Sequence, residues 1–246
     1  MNSFQRGVVL VSGFLKKRGY SIWLLDWYKN GGWLEAVGQG AYRFRGDKVS
    51  WTGAVCSLQT QLNLPAHVGA RTALELQGYG HYMSSGLRTV FLFGSPGVRL
   101  PKWFTGHDWG VTVEYITTKV FSATLSASFT EYEEKGYTVR LSSPERAIME
   151  TLYLVPDKQG FDEAFRLMEG LTTLRPELVQ QVLEQCSSVK VKRLFLYMAE
   201  RAGHAWLSGL NINQIDLGKG KRMLHKGGTF VAKYGITVPA TLEREQ

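Results

Sequence analysis

Residues 12–45 read SGFLKKRGYSIWLLDWYKNGGWLEAVGQGAYRFR, and this stretch decides the fold of the N-terminal part of the chain. The apolar run at 8–11 predicts a short strand that leads into a helix over 13–18. Ser12 is placed to cap that helix, and Gly19 is placed to end it, because glycine adopts the backbone of a helix C-terminus without strain. A second helix is predicted a few residues further on.

Ser21 is the predicted N-cap of this second helix, which covers 22–30. Leu24, Leu25 and Tyr28 fall on one face of it, at the spacing of an amphipathic helix. Two short helices joined by a tight turn that contains glycine form a helix-turn-helix.

A β-hairpin is predicted next, with strands over 33–37 and 41–45. The Gly-Gln-Gly sequence at 38–40 supplies its turn. A hairpin in this position is the wing of a winged helix-turn-helix.

The second strand of this wing has two different faces. Because side chains alternate along a strand, Tyr42 and Phe44 share one face, and Ala41, Arg43 and Arg45 share the other. The arginines can reach phosphates or the minor groove of DNA while the aromatic side chains pack on the helices. The strand therefore has the pattern that a DNA-binding wing needs.

A third helix is predicted over 50–63, with Ser50 as its N-cap. Winged helix-turn-helix domains usually begin with a helix before the two-helix motif, whereas here only residues 1–6 precede the first apolar run. Either this start is short, or the helix over 50–63 takes the missing helix's place in the packing. Leu64-Pro65 ends the helix, so we predict a domain boundary there, between a DNA-binding domain over 1–66 and a second domain over 67–246.

The rest of the chain alternates between helical and strand patterns, which predicts a mixed α/β domain and an α+β fold for the whole. Strands are predicted over 90–93, 111–115 and 137–141, and helices over 71–77, 144–154, 161–169, 176–186 and 189–202. A terminal hairpin is predicted with strands over 222–225 and 230–238, around Gly227-Gly228. Charged residues 131–136 suggest a turn.

Positive charge is concentrated at the two ends of the chain. Residues 1–66 carry 8 Lys and Arg against 3 Asp and Glu, and residues 187–246 carry 10 against 4, whereas residues 67–186 carry 11 against 14. Nucleic acid is the commonest partner for such basic ends, although basic charge can also serve solubility.

The apolar run at the N-terminus is too short to cross a bilayer, so we expect a soluble cytoplasmic protein.

The residues expected to contact DNA come from three elements. The second helix of a helix-turn-helix enters the major groove, and the end of the first helix crosses the phosphate backbone. Trp23 and Trp27, four residues apart, are interpreted most simply as packing between elements, although Trp23 also lies on the face opposite the core. The candidate contacts are Lys16, Lys17, Arg18, Ser21, Trp23, Lys29, Asn30, Gln39, Arg43, Arg45 and Lys48.

A second basic cluster lies near the C-terminus. It could be another nucleic-acid contact surface, for DNA or for RNA, or simply a solvated face. Its members are Lys190, Lys192, Arg193, Lys219, Lys221, Arg222 and Lys226.

Enzymatic motifs are weak. The sequence GKGKR at 218–222 lacks the Ser or Thr of a phosphate-binding loop, and no His or Cys spacing indicates a metal site, so we expect neither cofactor nor metal. Cys56 and Cys186 are predicted to be buried thiols, and the five histidines to be structural.

The nearest catalytic pattern is nuclease-like, with Asp108, Glu133 and Lys135. We expect a DNA-binding protein that is not an enzyme. A nuclease of this kind is one alternative, and a protein-interaction module that does not bind DNA is the other.

Several runs of sequence resemble the AbiEi family of antitoxins, and they are spread over nearly the whole chain. They are GWLE at 32–35, GQGAY at 38–42, GDKVSW at 46–51, HVGARTALELQGY at 67–79, SSPERA at 142–147, MEGL at 168–171, SVKVKRLFL at 188–196 and DLGKGKR at 216–222.

This resemblance implies an antitoxin of a type IV toxin–antitoxin system, of the kind found in abortive infection and phage defence. It implies a winged helix-turn-helix over 1–66 joined to a larger C-terminal antitoxin domain over 67–246, and repression of the protein's own operon through inverted repeats in the promoter. It also implies that the antitoxin counteracts a nucleotidyltransferase-like toxin without forming a stable complex with it.

Overall fold

The computed structural model describes residues 4–80, 88–121 and 124–244, and its α+β architecture agrees with the sequence prediction. The chain divides into two compact units. The first comprises Met1–Val68, Ser85–Thr117 and Glu131–Leu141. The second comprises Gly69–Ser84, Thr118–Thr130 and Ser142–Gln246. Residues 1–66 therefore share their unit with two later segments, and the predicted division into domains over 1–66 and 67–246 stays a prediction.

The first unit begins with the succession of elements that the sequence predicts. These are β1 (Leu10–Val11), α1 (Ser12–Lys17), α2 (Ile22–Asn30), β2 (Leu34–Gly38), β3 (Ala41–Phe44) and α3 (Trp51–Thr60). The three strands form an antiparallel sheet in the order β1-β3-β2. The N-terminal part is thus a winged helix-turn-helix, with a third strand added to the predicted two-stranded wing.

One small apolar core holds these elements together. Five buried side chains form it, one from each of β1, α1, α2, β2 and β3, so every element is anchored separately. The five are Leu10, Leu15, Leu25, Leu34 and Phe44. Tyr28 and Tyr42 pack against this core, as the helical spacing of α2 and the alternation of β3 predict.

Two details of this region differ from the prediction. Ser12 is the first residue of α1 and does not cap it, because Val11 holds the extended N-cap position. Ala41 was expected to face solvent but is completely buried, because β3 is the central strand and Val11 of β1 pairs with Ala41.

Helix α3 packs directly on the segment that precedes α1. The Gln61 amide, just after α3, donates to the Val9 carbonyl at 2.6 Å and accepts from the Val11 N–H at 2.8 Å. The Ser57 hydroxyl donates to the same Val9 carbonyl at 2.6 Å. These contacts agree with the alternative in which the third helix packs on the two-helix motif in the place of an N-terminal helix.

A five-stranded sheet lies mostly in the first unit. Its members are β4 (His67–Val68), β5 (Thr89–Gly94), β6 (Thr112–Thr117), β7 (Phe129–Glu134) and β8 (Tyr137–Ser142), with the short α5 (Lys102–Thr105) between β5 and β6. The strand order is β6-β5-β4-β8-β7. The prediction of a charged turn over 131–136 is wrong for its first part, because β7 continues to Glu134 and only Lys135 and Gly136 form the turn.

The second unit is mainly helical. Its helices are α4 (Ala70–Leu76), α6 (Pro144–Leu154), α7 (Phe161–Glu169), α8 (Pro176–Gln185), α9 (Val189–Arg201) and α10 (Thr241–Arg244). Short 3-10 segments are formed by Ser126–Ser128, Ala205–Gly209 and Ile212–Gln214. Pro144 occupies the first position of α6, as predicted.

The strand pairing near the C-terminus differs from the predicted hairpin. The strands are β9 (Arg222–Met223), β10 (Thr229–Val231) and β11 (Ile236–Val238). β11 lies in the middle, antiparallel to β10 and parallel to β9. The hairpin turn is therefore at 232–235, and Gly227-Gly228 lies in the connection between β9 and β10.

A buried ionic network anchors α6 in the second unit. Glu150, which is completely buried, accepts hydrogen bonds from the Arg146 guanidinium at 2.7 Å, the Ser142 hydroxyl at 2.7 Å and the Ala70 N–H at 3.1 Å. Ala70 has a left-handed backbone with φ of 49°, and this hydrogen bond helps to hold it. The carboxylate thus connects the start of α4 and the end of β8 to the middle of α6.

Both cysteines and two of the histidines are buried, whereas His225 is exposed and His81 lies outside the described residues. Cys56 and Cys186 are buried free thiols, as predicted, and burial raises the pKa of both. His67 and His204 are also buried, and His204 Nε2 lies 2.7 Å from the Met168 carbonyl oxygen.

No helix within 4–80, 88–121 and 124–244 combines the length and apolar character needed to cross a membrane.

Candidate nucleic-acid interface

The turn between α1 and α2 has the geometry of a helix-turn-helix. Gly19 has a φ of +89°, a conformation that costs other residues energy, and the Tyr20 N–H donates to the Leu15 carbonyl at 3.1 Å. The Ser21 hydroxyl accepts a hydrogen bond from the Leu24 N–H at 3.2 Å, which confirms Ser21 as the N-cap of α2. The start of α2 is therefore fixed both by the turn and by the cap.

The end of α1 presents a group of exposed cations. Lys16, Lys17 and Arg18 are all exposed, and the Arg18 guanidinium lies over the Phe14 ring at 4.6 Å. Within the described part of the chain, no carboxylate forms an ion pair with any of the three. Their charge is thus available to an external anion.

The outer face of α2 is more apolar than the sequence predicts. Trp23 is 86% exposed and Trp27 is 62% exposed, so the interpretation of this pair as packing between elements is wrong. Ser21 and Asn30 are exposed at the two ends of the helix. Lys29 is exposed too, but its ammonium forms an ion pair with Asp26 at 3.1 Å.

The wing contributes further cations. Gln39 is exposed in the turn, and Arg45 and Lys48 are exposed beyond β3. Arg43 is only half exposed, and its guanidinium is paired with Glu35 on β2 at 3.0 Å. Arg45 is therefore freer than Arg43 to contact a phosphate.

Two further residues, Arg6 and Trp33, lie beside the wing residues. The Arg6 guanidinium lies over the Phe44 ring at 4.1 Å and pairs with Asp47 at 3.1 Å. Trp33, just after α2, is 64% exposed and lines a cleft of about 460 Å³ together with Arg6 and Arg45. No local pattern distinguishes Arg6 or Trp33, because their placement depends on how the wing folds against α2.

The second basic cluster is partly buried, and the prediction of a surface is wrong for that part. Lys192 and Arg193 are each only 5% exposed. The Arg193 guanidinium donates to the carbonyls of Leu217, Gly218, Gly220 and Gly235, and the Lys192 ammonium donates to the Asp216 carbonyl. These side chains hold the C-terminal segment in place and are not available to a ligand.

Lys190 is also engaged internally. Its ammonium donates to the carbonyls of Tyr153 and Val155, at 2.7 and 2.5 Å, and burial lowers its pKa. The remaining members of the cluster, Lys219, Lys221, Arg222 and Lys226, are exposed.

The three nuclease-like residues lie in a loop (Asp108), on β7 (Glu133) and in the turn after β7 (Lys135). Asp108 accepts a hydrogen bond from the Gly110 N–H at 2.8 Å, Glu133 is exposed on β7, and Lys135 lies near Glu134 at 3.6 Å. Among the residues that the structure describes, no group of three or more His, Cys, Asp or Glu side chains could hold a metal ion.

Two family descriptions match the chain in succession. Residues 1–85 match "Transcriptional regulator, AbiEi antitoxin N-terminal domain". Residues 87–239 match "Transcriptional regulator, AbiEi antitoxin, Type IV TA system". The chain belongs to the AbiEi antitoxin family. The winged helix-turn-helix described above lies inside the first of the two AbiEi segments.

A solved structure shares the AbiEi chain's fold along most of its length. It is the crystal structure of the RV2827C protein from Mycobacterium tuberculosis, with a TM-score of 0.64 and 16% sequence identity. The match covers 96% of this chain and 89% of the other. A search of curated proteins found no match. Membership of the AbiEi family confirms the resemblance noted in the sequence and identifies a family of transcriptional regulators.

Proposed function

We propose that the protein is a DNA-binding antitoxin that represses its own operon through its winged helix-turn-helix. The observation that carries this proposal is the set of exposed cations on α1 and the wing, the elements that precede and follow a helix whose outer face is open to solvent. A DNA duplex presents phosphates along both edges of its major groove, and cations around a groove-binding helix can contact them. Membership of a family of transcriptional regulators supports the same conclusion.

Each element has a separate role in this proposal. Helix α2 enters the major groove, where Ser21 and Asn30 can hydrogen-bond to base edges. Lys16, Lys17 and Arg18 contact the phosphate backbone, and Arg45 contacts phosphates or the minor groove beside the site. The DNA sites are inverted repeats in the protein's own promoter, each repeat taking one winged helix-turn-helix.

The antitoxin role belongs to the same proposal. The protein counteracts a nucleotidyltransferase-like toxin without forming a stable complex with it, and it acts by binding rather than by catalysis. The description of the family as type IV antitoxins supports this role.

A gel-shift experiment with the DNA upstream of the protein's own reading frame tests the proposal. We expect the wild-type protein to shift this DNA in the presence of excess scrambled DNA, and the Arg43→Ala/Arg45→Ala variant to bind at least tenfold more weakly. Because Arg43 is already paired with Glu35, most of this loss should be reproduced by Arg45→Ala alone.

A charge-matched control shows whether the loss is specific to the wing. Lys119 and Arg166 are exposed cations outside the candidate interface, so the Lys119→Ala/Arg166→Ala variant should bind as the wild type does. If the wild-type protein does not distinguish its upstream DNA from scrambled DNA, the proposed repressor function is wrong.

A further inference from the structure

The outer face of α2 carries an unusual amount of exposed apolar surface. Among the described residues, seven large apolar side chains are exposed, and four of them lie between 22 and 33. Three belong to α2 itself, namely Ile22, Trp23 and Trp27. An exposed apolar patch of this kind on a folded protein indicates a surface that binds something.

The charge around this apolar face indicates what it binds. The face itself is neutral, because Asp26 and Lys29 form an ion pair with each other. Exposed cations flank it at both ends: Lys17 and Arg18 precede the helix, and Arg45 shares a cleft with Trp33 beyond its C-terminus. The binding surface is therefore apolar in its centre and positive at its margins.

A second copy of this chain does not suit such a surface. A two-fold interface centred on α2 would bring the same patch of each copy together and place the flanking cations near like charges. A DNA duplex has the complementary arrangement, with phosphates on both sides of a groove whose floor carries the bases. The charge pattern thus favours DNA as the partner of this face.

The apolar feature of the major groove is the C5-methyl group of thymine, since the other base edges present hydrogen-bond donors and acceptors. Ile22 and Trp23 are the first two residues of α2, and Trp27 lies one turn further on the same face. In a helix-turn-helix the N-terminal residues of the second helix are those that reach the bases.

We infer that α2 reads its DNA site through apolar contacts, in which Ile22, Trp23 and Trp27 pack against thymine methyl groups in the major groove. This inference rests on the proposed function, because it requires the winged helix-turn-helix to bind duplex DNA. It adds that the half-sites contain thymines whose methyl groups are part of the recognition.

Uracil-substituted DNA tests this inference without altering the protein. The duplex upstream of the reading frame is prepared once with thymine and once with uracil at every thymine position, which removes the methyl groups and keeps the base pairing. Each buried methyl group is worth about a fourfold change in affinity. We expect the wild-type protein to bind the uracil duplex about tenfold more weakly or worse.

Two variants show where the methyl groups are read. The Trp23→Ala/Trp27→Ala variant should bind the thymine duplex more weakly and bind the thymine and uracil duplexes equally. Both side chains are exposed, so thermal melting should show that the variant folds as the wild type does. The Lys48→Ala variant, which removes a charge alone, should weaken binding to both duplexes and keep the ratio of their affinities.

The outcomes separate the inference from the proposed function. Specific binding with equal affinity for the thymine and uracil duplexes overturns the inference and leaves the DNA-binding function in place. Failure of the wild-type protein to prefer its upstream DNA overturns both. A third outcome is that the wild-type protein sediments as a dimer and the tryptophan variant as a monomer, while both bind the two duplexes with equal affinity. In that case the face binds a second copy and the inference is wrong.

Discussion

Replacing Glu150 by alanine should lower the free energy of unfolding by about 3–5 kcal/mol. The substitution leaves the buried Arg146 guanidinium without its carboxylate partner, and it also removes the acceptor of the Ser142 hydroxyl and the Ala70 N–H. Removing one partner of a buried ion pair is among the most destabilising changes that a single substitution can make. Urea denaturation followed by circular dichroism measures the change.

Two further variants identify the cause of this loss. Glu150→Gln keeps the size of the side chain but removes its charge, so it should also be strongly destabilising. Glu184→Ala removes an exposed carboxylate from α8 and should change the free energy of unfolding by no more than about 0.5 kcal/mol. Equal stabilities for Glu150→Ala and Glu184→Ala would show that the buried network does not hold the second unit.

Replacing Gly53 by alanine should be the most damaging small substitution in the first unit. A Cβ atom at Gly53 would lie well inside van der Waals contact with the Gly7 carbonyl oxygen, so α3 and the segment before β1 would have to separate. Overpacking of this kind costs about 1–3 kcal/mol or more, and here a backbone atom must move. We expect a fall in melting temperature of several degrees.

Gly13 provides the matched control. It lies in α1, and a Cβ atom there would meet nothing within 4 Å. Because alanine favours helix more than glycine does, Gly13→Ala should stabilise the protein by about 0.5–1 kcal/mol. A Gly53→Ala variant as stable as the wild type would contradict the close packing of α3 on residues 7–11.

Local features of the sequence predicted the N-terminal fold well. Ser21 and Ser50 cap their helices as expected, because capping requires only a hydroxyl three residues before a free backbone N–H. The wing followed from a glycine-containing turn between two alternating segments. These signals lie within a few residues of the structure they specify.

Features that depend on distant segments were not predictable in the same way. Trp23 and Trp27 looked like packing residues, but no described element covers their face of α2. Arg193 looked like a surface cation, but the carbonyls it binds belong to residues 217–235. The pairing of β9 with β11 was missed because parallel strands need a longer connection than the hairpin that the glycines suggested.

The central claim is that the protein binds duplex DNA through the cations around α2, and the salt dependence of its affinity tests this most directly. Fluorescence anisotropy with the labelled upstream duplex gives the binding constant K over a series of salt concentrations. Each phosphate contact contributes about −0.9 to the slope of log K against log salt. The Arg45→Ala/Lys48→Ala variant should therefore have a slope shallower by about 2, and Lys119→Ala/Arg166→Ala should keep the wild-type slope. A wild-type slope in the Arg45→Ala/Lys48→Ala variant would contradict the account, because the phosphates would then be contacted elsewhere.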